Sequence, residues 1–294
     1  MATLSSLSNV NYQSSTAANI QNWAGLVQSL LTSGGWVQTS DTGQTAAASL
    51  PATTAANQSV GYQVWRMADA LQASYPVYMK IEFGSNAAAT TAAVYVTIGT
   101  GSDGAGNITG VLFARQQVAT STGSPASTTG SFRGSADTNR LWFALIGNSG
   151  AAGSSLLSIE RTKDALGADS NEGVLVTIGG SAANSAVWTT RFHQFVSFTN
   201  NTFPALTVLG AFVPSGTTWA DGTAIGVCPV RYHNASPSNP GLNLMVYLNG
   251  DTPASSAVSI AAYGTSHTYL PLGTGVFSTA VPANANASLL CRWE

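Results

Sequence analysis

Charge is what this chain of 294 residues has least of: Asp, Glu, Lys and Arg together make 7% of it, where a soluble domain ordinarily carries about 25%. Only two lysines occur, Lys80 and Lys163, and the formal net charge is −2. Nucleic-acid binding is excluded on that count, because neutralising phosphates takes clustered Lys and Arg, and the ten basic residues here are scattered. Cysteine is almost as scarce. Cys228 and Cys291 stand at no metal-ligand spacing from each other or from His193, His233 and His267, which favours two buried free thiols over a disulfide closing the last segment. No apolar run reaches the length of about 18 residues that a membrane span needs. The N-terminal MATLSSLSNVNYQSS has neither a basic n-region nor a long apolar stretch, so no signal peptide is read there. The histidines show no HxxxH or HxH spacing and no G-x-S-x-G serine accompanies them. There is also no cofactor motif, and no internal repeat of solenoid or propeller length.

What is present describes a folded, β-rich protein. Hydrophobic residues make 44%, too many for a disordered chain, and Ser, Thr, Asn, Gln and Gly replace charge on the surface. Between Gly61 and Gly110, Tyr62, Val64, Val77, Met79, Ile81, Phe83, Val94, Val96 and Ile98 recur at every second position. That period belongs to strands with one buried face. Tight turns at 74–76, 84–86 and 99–107 make the segment an antiparallel meander. Upstream, Ile20, Trp23, Ala24, Val27, Leu30 and Leu31 mark an amphipathic helix that Ser15 or Thr16 can cap and Gly34-Gly35 ends. Residues 37–59 read as an extended arm. Further strands are expected over 110–118, 130–133, 140–147, 155–161 and 173–179, then over 207–213, 224–232, 242–248 and 258–263, with a boundary near 195–205. The fold class is therefore mainly β, with antiparallel β-sandwich or jelly-roll-like domains and one N-terminal amphipathic helix. The helix and arm occupy 1–60, a β-sandwich domain 61–200 and a C-terminal β domain 201–294.

Few places suggest a site. Asp103 and Asn107 in SDGAGN have oxygens that could ligate calcium, but the alternating acids and closing glutamate of an EF-hand loop are missing, and the same residues suit a hairpin turn. Glu160, Asp164, Asp169 and Glu172 form the densest acidic cluster, yet they crowd one loop among Arg161 and Lys163 instead of facing each other across a glycosidase cleft. Packing is the default role of the seven tryptophans. Trp219, in SGTTWADGT, is the one most suited to stack on a glycan. The helix stripe has two uses open to it, covering the chain's own sheet or contacting another protein.

The order of the helix, the TSDTGQ arm, GYQVWRMADALQASYPVYMKIEFGS, VTIGTGSDGAGNITG, SIERTKDALGADSNEGVLV, YGTSHTYLPLG and a terminal RWE resembles virion proteins of tailed bacteriophages. The resemblance implies a structural role without catalysis or cofactor, most simply in the tail as fibre, collar or baseplate, in a homo-oligomer. A head decoration or capsid-associated protein, or a receptor-binding or glycan-cleaving tail protein, are the alternatives. The expected partners are copies of the chain, other phage structural proteins and, through Trp219, a host surface glycan; neither nucleic acid nor membrane is among them. In that setting Ile20, Trp23, Val27, Leu30 and Leu31 are the expected assembly contacts.

Overall fold

The computed structural model describes residues 2–86, 88–120, 129–147, 155–164, 166–178, 186–191, 194–197, 227–229, 243–247, 257–262, 264–271 and 288–293. These residues are mainly β, in three antiparallel sheets, with one α-helix, α1 (Ala17–Ser33), near the N-terminus. The strands of the first half are β1 (Ala2–Asn11), β2 (Val37–Gln38), β3 (Ser59–Arg66), β4 (Tyr78–Ser85), β5 (Ala92–Ser102) and β6 (Ile108–Thr120). Next come β7 (Thr129–Asp137), β8 (Arg140–Gly147), β9 (Ser155–Lys163), β10 (Asp169–Ile178), β11 (Ala186–Arg191) and β12 (Gln194–Ser197). The last are β13 (Val227–Pro229), β14 (Leu244–Tyr247), β15 (Val258–Ala262), β16 (Thr265–Pro271) and β17 (Ser288–Arg292).

The predicted meander is the first sheet, ordered β2-β3-β4-β5-β6. A seven-stranded middle sheet follows as β1-β7-β8-β9-β10-β11-β12, and a C-terminal sheet as β13-β14-β17-β16-β15. Side chains alternate across a strand, and in β8 and β9 of the middle sheet both sets are buried. Leu141, Phe143 and Leu145 of β8 join Leu157 and Ile159 of β9 in the main apolar core, together with Trp65, Met79, Ile81, Phe83, Val94 and Val96 of the first sheet. The alternate residues Arg140, Trp142, Ala144, Leu156, Ser158 and Glu160 are equally buried. They face the C-terminal sheet: the Trp142 indole N–H donates to the Arg292 carbonyl and its ring lies 6.2 Å from that of Trp293. The protein is thus layered, with β8 and β9 of the middle sheet dry on both faces.

Helix α1 lies in the same core as the first and middle sheets. Ile20, Trp23, Ala24, Val27, Leu30 and Leu31 are all buried, and the Trp23 ring meets Phe83 edge-on at 5.8 Å. Close approach needs Gly134 of β7, where a Cβ would stand 2.4 Å from Leu30 Cδ2. Thr16 is the residue before the helix but makes no side-chain capping bond, and Gly34 closes the other end by donating to Leu30 O at 2.9 Å.

Two expectations about the N-terminus are corrected. β1 was not foreseen as a strand, yet it pairs with β7 from Ala2↔Ala136 to Asn11↔Thr129. The segment after the helix is no free arm: Trp36, Ala47 and Leu50 are buried, and backbone bonds Thr39 N–H to Val64 O and Thr45 N–H to Tyr62 O, both 2.9 Å, zip it along β3. Residues 1–60 therefore belong to the layers formed by the rest of the first half, because the apolar stripe of α1 fills the space between the two sheets. The expected boundary near 195–205 falls largely outside the described residues.

Trp23→Ala is expected to lower the unfolding free energy by about 3–5 kcal/mol, measured by urea denaturation. Trp23→Phe should cost far less, because it also removes a buried indole N–H that finds no acceptor among the described residues, a defect worth about 1–3 kcal/mol. Equal losses from both variants would contradict this interior placement.

Candidate functional site

The scarce charges are concentrated inside. Asp41, Glu82, Arg140, Glu160 and Arg161 are buried, and of the charged side chains whose burial is described only Asp103 and Arg115 are exposed. A buried charge is costly unless hydrogen-bonded or paired, and each one here joins two distant segments.

The most elaborate joint lies between the middle and C-terminal sheets. Arg140 and Glu160 are opposite each other in the β8–β9 ladder. Both oxygens of the Glu160 carboxylate accept the Asn243 backbone N–H, at 2.9 and 3.0 Å. The Asn243 side-chain amide donates to Leu141 O at 3.2 Å, Ser158 Oγ at 3.1 Å and Ile159 O at 3.2 Å, while its Oδ1 accepts Arg140 Nη1 at 3.2 Å. Arg140 Nη2 reaches Ser135 Oγ at 3.1 Å, and that hydroxyl donates to Trp293 O at 3.2 Å. Burial pushes the Arg140 guanidinium down to about 10, with Arg292 adding to the effect and Glu160 and Asp137 opposing it. His267 of β16 is held down to about 4, by burial first and then by Arg292, Arg140 and Lys163, so it is neutral at neutral pH.

The second joint is the fork of Arg161 on Asp69, nearly dry on both sides, with Arg161 Nη2 also donating to Asp69 Oδ1 at 3.1 Å and Tyr75 O at 2.8 Å. It fixes the 67–77 connection to the middle sheet. At the third, Asp41 accepts Ser102 Oγ and the Gly106 N–H, both at 2.9 Å. Burial pushes the Asp41 carboxyl up, but bonds from Thr39, Ser102 and Gly106 outweigh it and leave the group below the ordinary range. The turn it clasps is the calcium candidate. There Asp103 Oδ1 accepts the Ala105 and Asn107 N–H groups at 2.8 and 3.0 Å, and Oδ2 accepts Asn107 Nδ2 at 2.7 Å. Gly104 and Gly106 take φ of 81° and 83°, so the DG and GN positions serve a left-handed turn, and the Asn107 amide presents its N–H₂ toward Asp103 as a donor.

The other predicted site residues are dispersed. Glu160 is committed to Asn243; Asp164 ties its own turn through the Leu166 and Ala168 N–H groups at 2.8 and 2.9 Å; Asp169 pairs with Lys163 at 2.6 Å and Asn139 at 2.7 Å; Glu172 is half-buried on β10. Cys291 is a buried free thiol, pushed up by burial, as the composition suggested. Cys228 lies in β13, while Trp219, His193 and His233 fall outside the described residues. The expectation that Ile20, Trp23, Val27, Leu30 and Leu31 are assembly contacts is corrected, since all five face the chain's own core. The outer side of α1 instead borders an open groove of about 600 Å³ lined by Gln21, Gly25, Gln28, Ser29, Thr32 and Ala47, among others, which offers hydrogen bonds and no charge. On the first sheet, Lys80 caps the Tyr62 ring and Arg115 the Tyr95 ring, each at 4.1 Å, so a cation already occupies one face of each ring.

No family model matches the chain, and neither the curated proteins nor the solved structures yield a match.

Asp41→Asn is expected to destabilise the fold by about 1–3 kcal/mol at neutral pH, the worth of hydrogen bonds to a charged group. Because the folded pKa is depressed, the stabilisation is present above the unfolded carboxyl pKa and is lost as pH falls through the folded one. Thermal unfolding of wild type and variant across the acid range should show the two curves converging; parallel curves would refute this role.

Proposed function

We propose that this protein is a structural component of a tailed-phage virion, tail-associated and working as a homo-oligomer in contact with other virion proteins. The observation that carries the proposal is the placement of charge. With so few charges to begin with, burying several of them at internal joints leaves the exposed positions among the described residues dominated by Ser, Thr, Asn, Gln, Gly and Ala. Net charge is what keeps proteins apart in solution, and a nearly neutral polar surface permits copies to approach without paying for repulsion or for ordering long charged side chains. The sequence resemblance to phage virion proteins points the same way. Since the α1 stripe is interior, contacts to the particle fall to outer surfaces, among them the open side of α1 and the sheet edges.

Size-exclusion chromatography with light scattering is expected to give a discrete trimer, hexamer or larger ring, the closed symmetries that such chains favour. Quantitative mass spectrometry of purified particles should find the protein at a copy number in the tens or below, in order of magnitude, as closed rings and trimers imply. Hundreds of copies would move it to the head. Its absence from the particles, or a strictly monomeric protein, would overturn the reading.

A further inference from the structure

The seam between the middle and C-terminal sheets gathers more ionisable groups than holding two layers together requires. From the middle sheet come Arg140 of β8, Glu160 and Lys163 of β9, and Arg133 and Asp137 of β7; from the C-terminal sheet come His267 and Tyr269 of β16 and Cys291 and Arg292 of β17. Burial raises the Tyr269 and Cys291 groups, so both are neutral throughout the acid range. Of the rest, Lys163 is paired with Asp169 at 2.6 Å, and the carboxylates Glu160 and Asp137 stand among Arg140, Arg133, Arg292 and a histidine. Glu160 is also the group that grips the Asn243 backbone at the head of β14, with both oxygens.

We propose that Glu160 is the catch of an acid-released latch: when its carboxylate takes up a proton, the C-terminal sheet comes away from the middle sheet while the core shared by α1, the first sheet and the middle sheet stays folded.

The consequences of protonation all act in one direction. A neutral acid forfeits the charge-assisted bonds to Asn243, which are roughly twice as strong as neutral ones. It leaves the buried Arg140, whose Nε has no partner among the described residues, facing Arg292 with only the Asp137 carboxylate still opposing the repulsion. His267 then adds a further positive charge. Its pKa is about 4 in the assembled seam against 6.5 when free, so the released form binds that proton more readily, and the assembled form loses ground as pH falls from the free value toward the depressed one. The main core does not share this fate. Among the described residues it contains no side chain of the C-terminal sheet, its Arg161–Asp69 joint is a one-to-one pair, and Asp41 is held in its ionised form below the ordinary range.

Hydrogen exchange of the full chain, followed by mass spectrometry and corrected for intrinsic rates, tests the latch. On acidification the amides of β14, β16 and β17 are expected to lose protection by about ten-fold or more, while α1, β4 and β8 keep theirs. Simultaneous loss in all these elements, or no loss down to about pH 3, overturns the proposal. Glu160→Gln, which keeps the size of the side chain without the charge, should leave β14, β16 and β17 unprotected at neutral pH; a fully protected C-terminal sheet in E160Q overturns it. Should E160Q not fold, His267→Gln decides: loss of one titrating cation is expected to move release of the C-terminal sheet to lower pH, and release at an unchanged pH refutes the latch.

Discussion

Two neighbouring strands with no wet face impose their conditions on everything around them. Strands β8 and β9 carry apolar residues on both sides, so the middle sheet needs a cover above and a cover below. The first sheet and α1 supply one, and the C-terminal sheet supplies the other. This explains why the N-terminal helix is interior and why the segment after it is bound to β3. An amphipathic helix with no sheet to cover would leave its stripe in water, and a sheet with that space unfilled would leave a void, which native packing does not tolerate. The same condition governs polar groups. A charge buried on β8 or β9 has to find its partners within the protein, and Arg140, Glu160 and Arg161 each do so on a segment far away in the chain.

How much of this was legible in the sequence depends on the range of the interaction. Period-2 alternation from Tyr62 to Ile98 and the helical spacing from Ile20 to Leu31 are local patterns, and both elements form where those patterns lie. The polar turn between β9 and β10 was equally plain, because Asp164 can close it through its own neighbours. β1 was hidden because ATLSSLSNVN has no strong apolar alternation, and its place is dictated by the edge of β7. The joint around Asn243 was hidden more deeply. An asparagine near the start of the strand expected over 242–248 shows no sign of its role, and only the folded layers bring it to Glu160. A usable signal did exist: Arg140 and Glu160 interrupt otherwise apolar strands, and a charge in such a place must have a partner or be expelled. The stripe on α1 is legible as a pattern but leaves two uses open, since periodicity tells which face is apolar and not what covers it; the chain's own core does.

The pairing of β1 with β7 also has a consequence for how the protein is made. β1 is synthesised before every other described strand, but its partner in the middle sheet is β7, which is completed after the whole first sheet. At ordinary translation speeds that is a wait on the order of ten seconds, long compared with the time in which a hairpin or a helix forms. The first sheet, assembled from neighbouring strands, can close during that interval, whereas the layer that finally packs on α1 has to be assembled afterwards. Folding of the nascent chain is thereby ordered in time, with the earliest residues among the last to be locked in. A β1 rich in Ser and Thr is suited to such a wait, since an apolar, unpaired strand exposed for that long would be a template for aggregation.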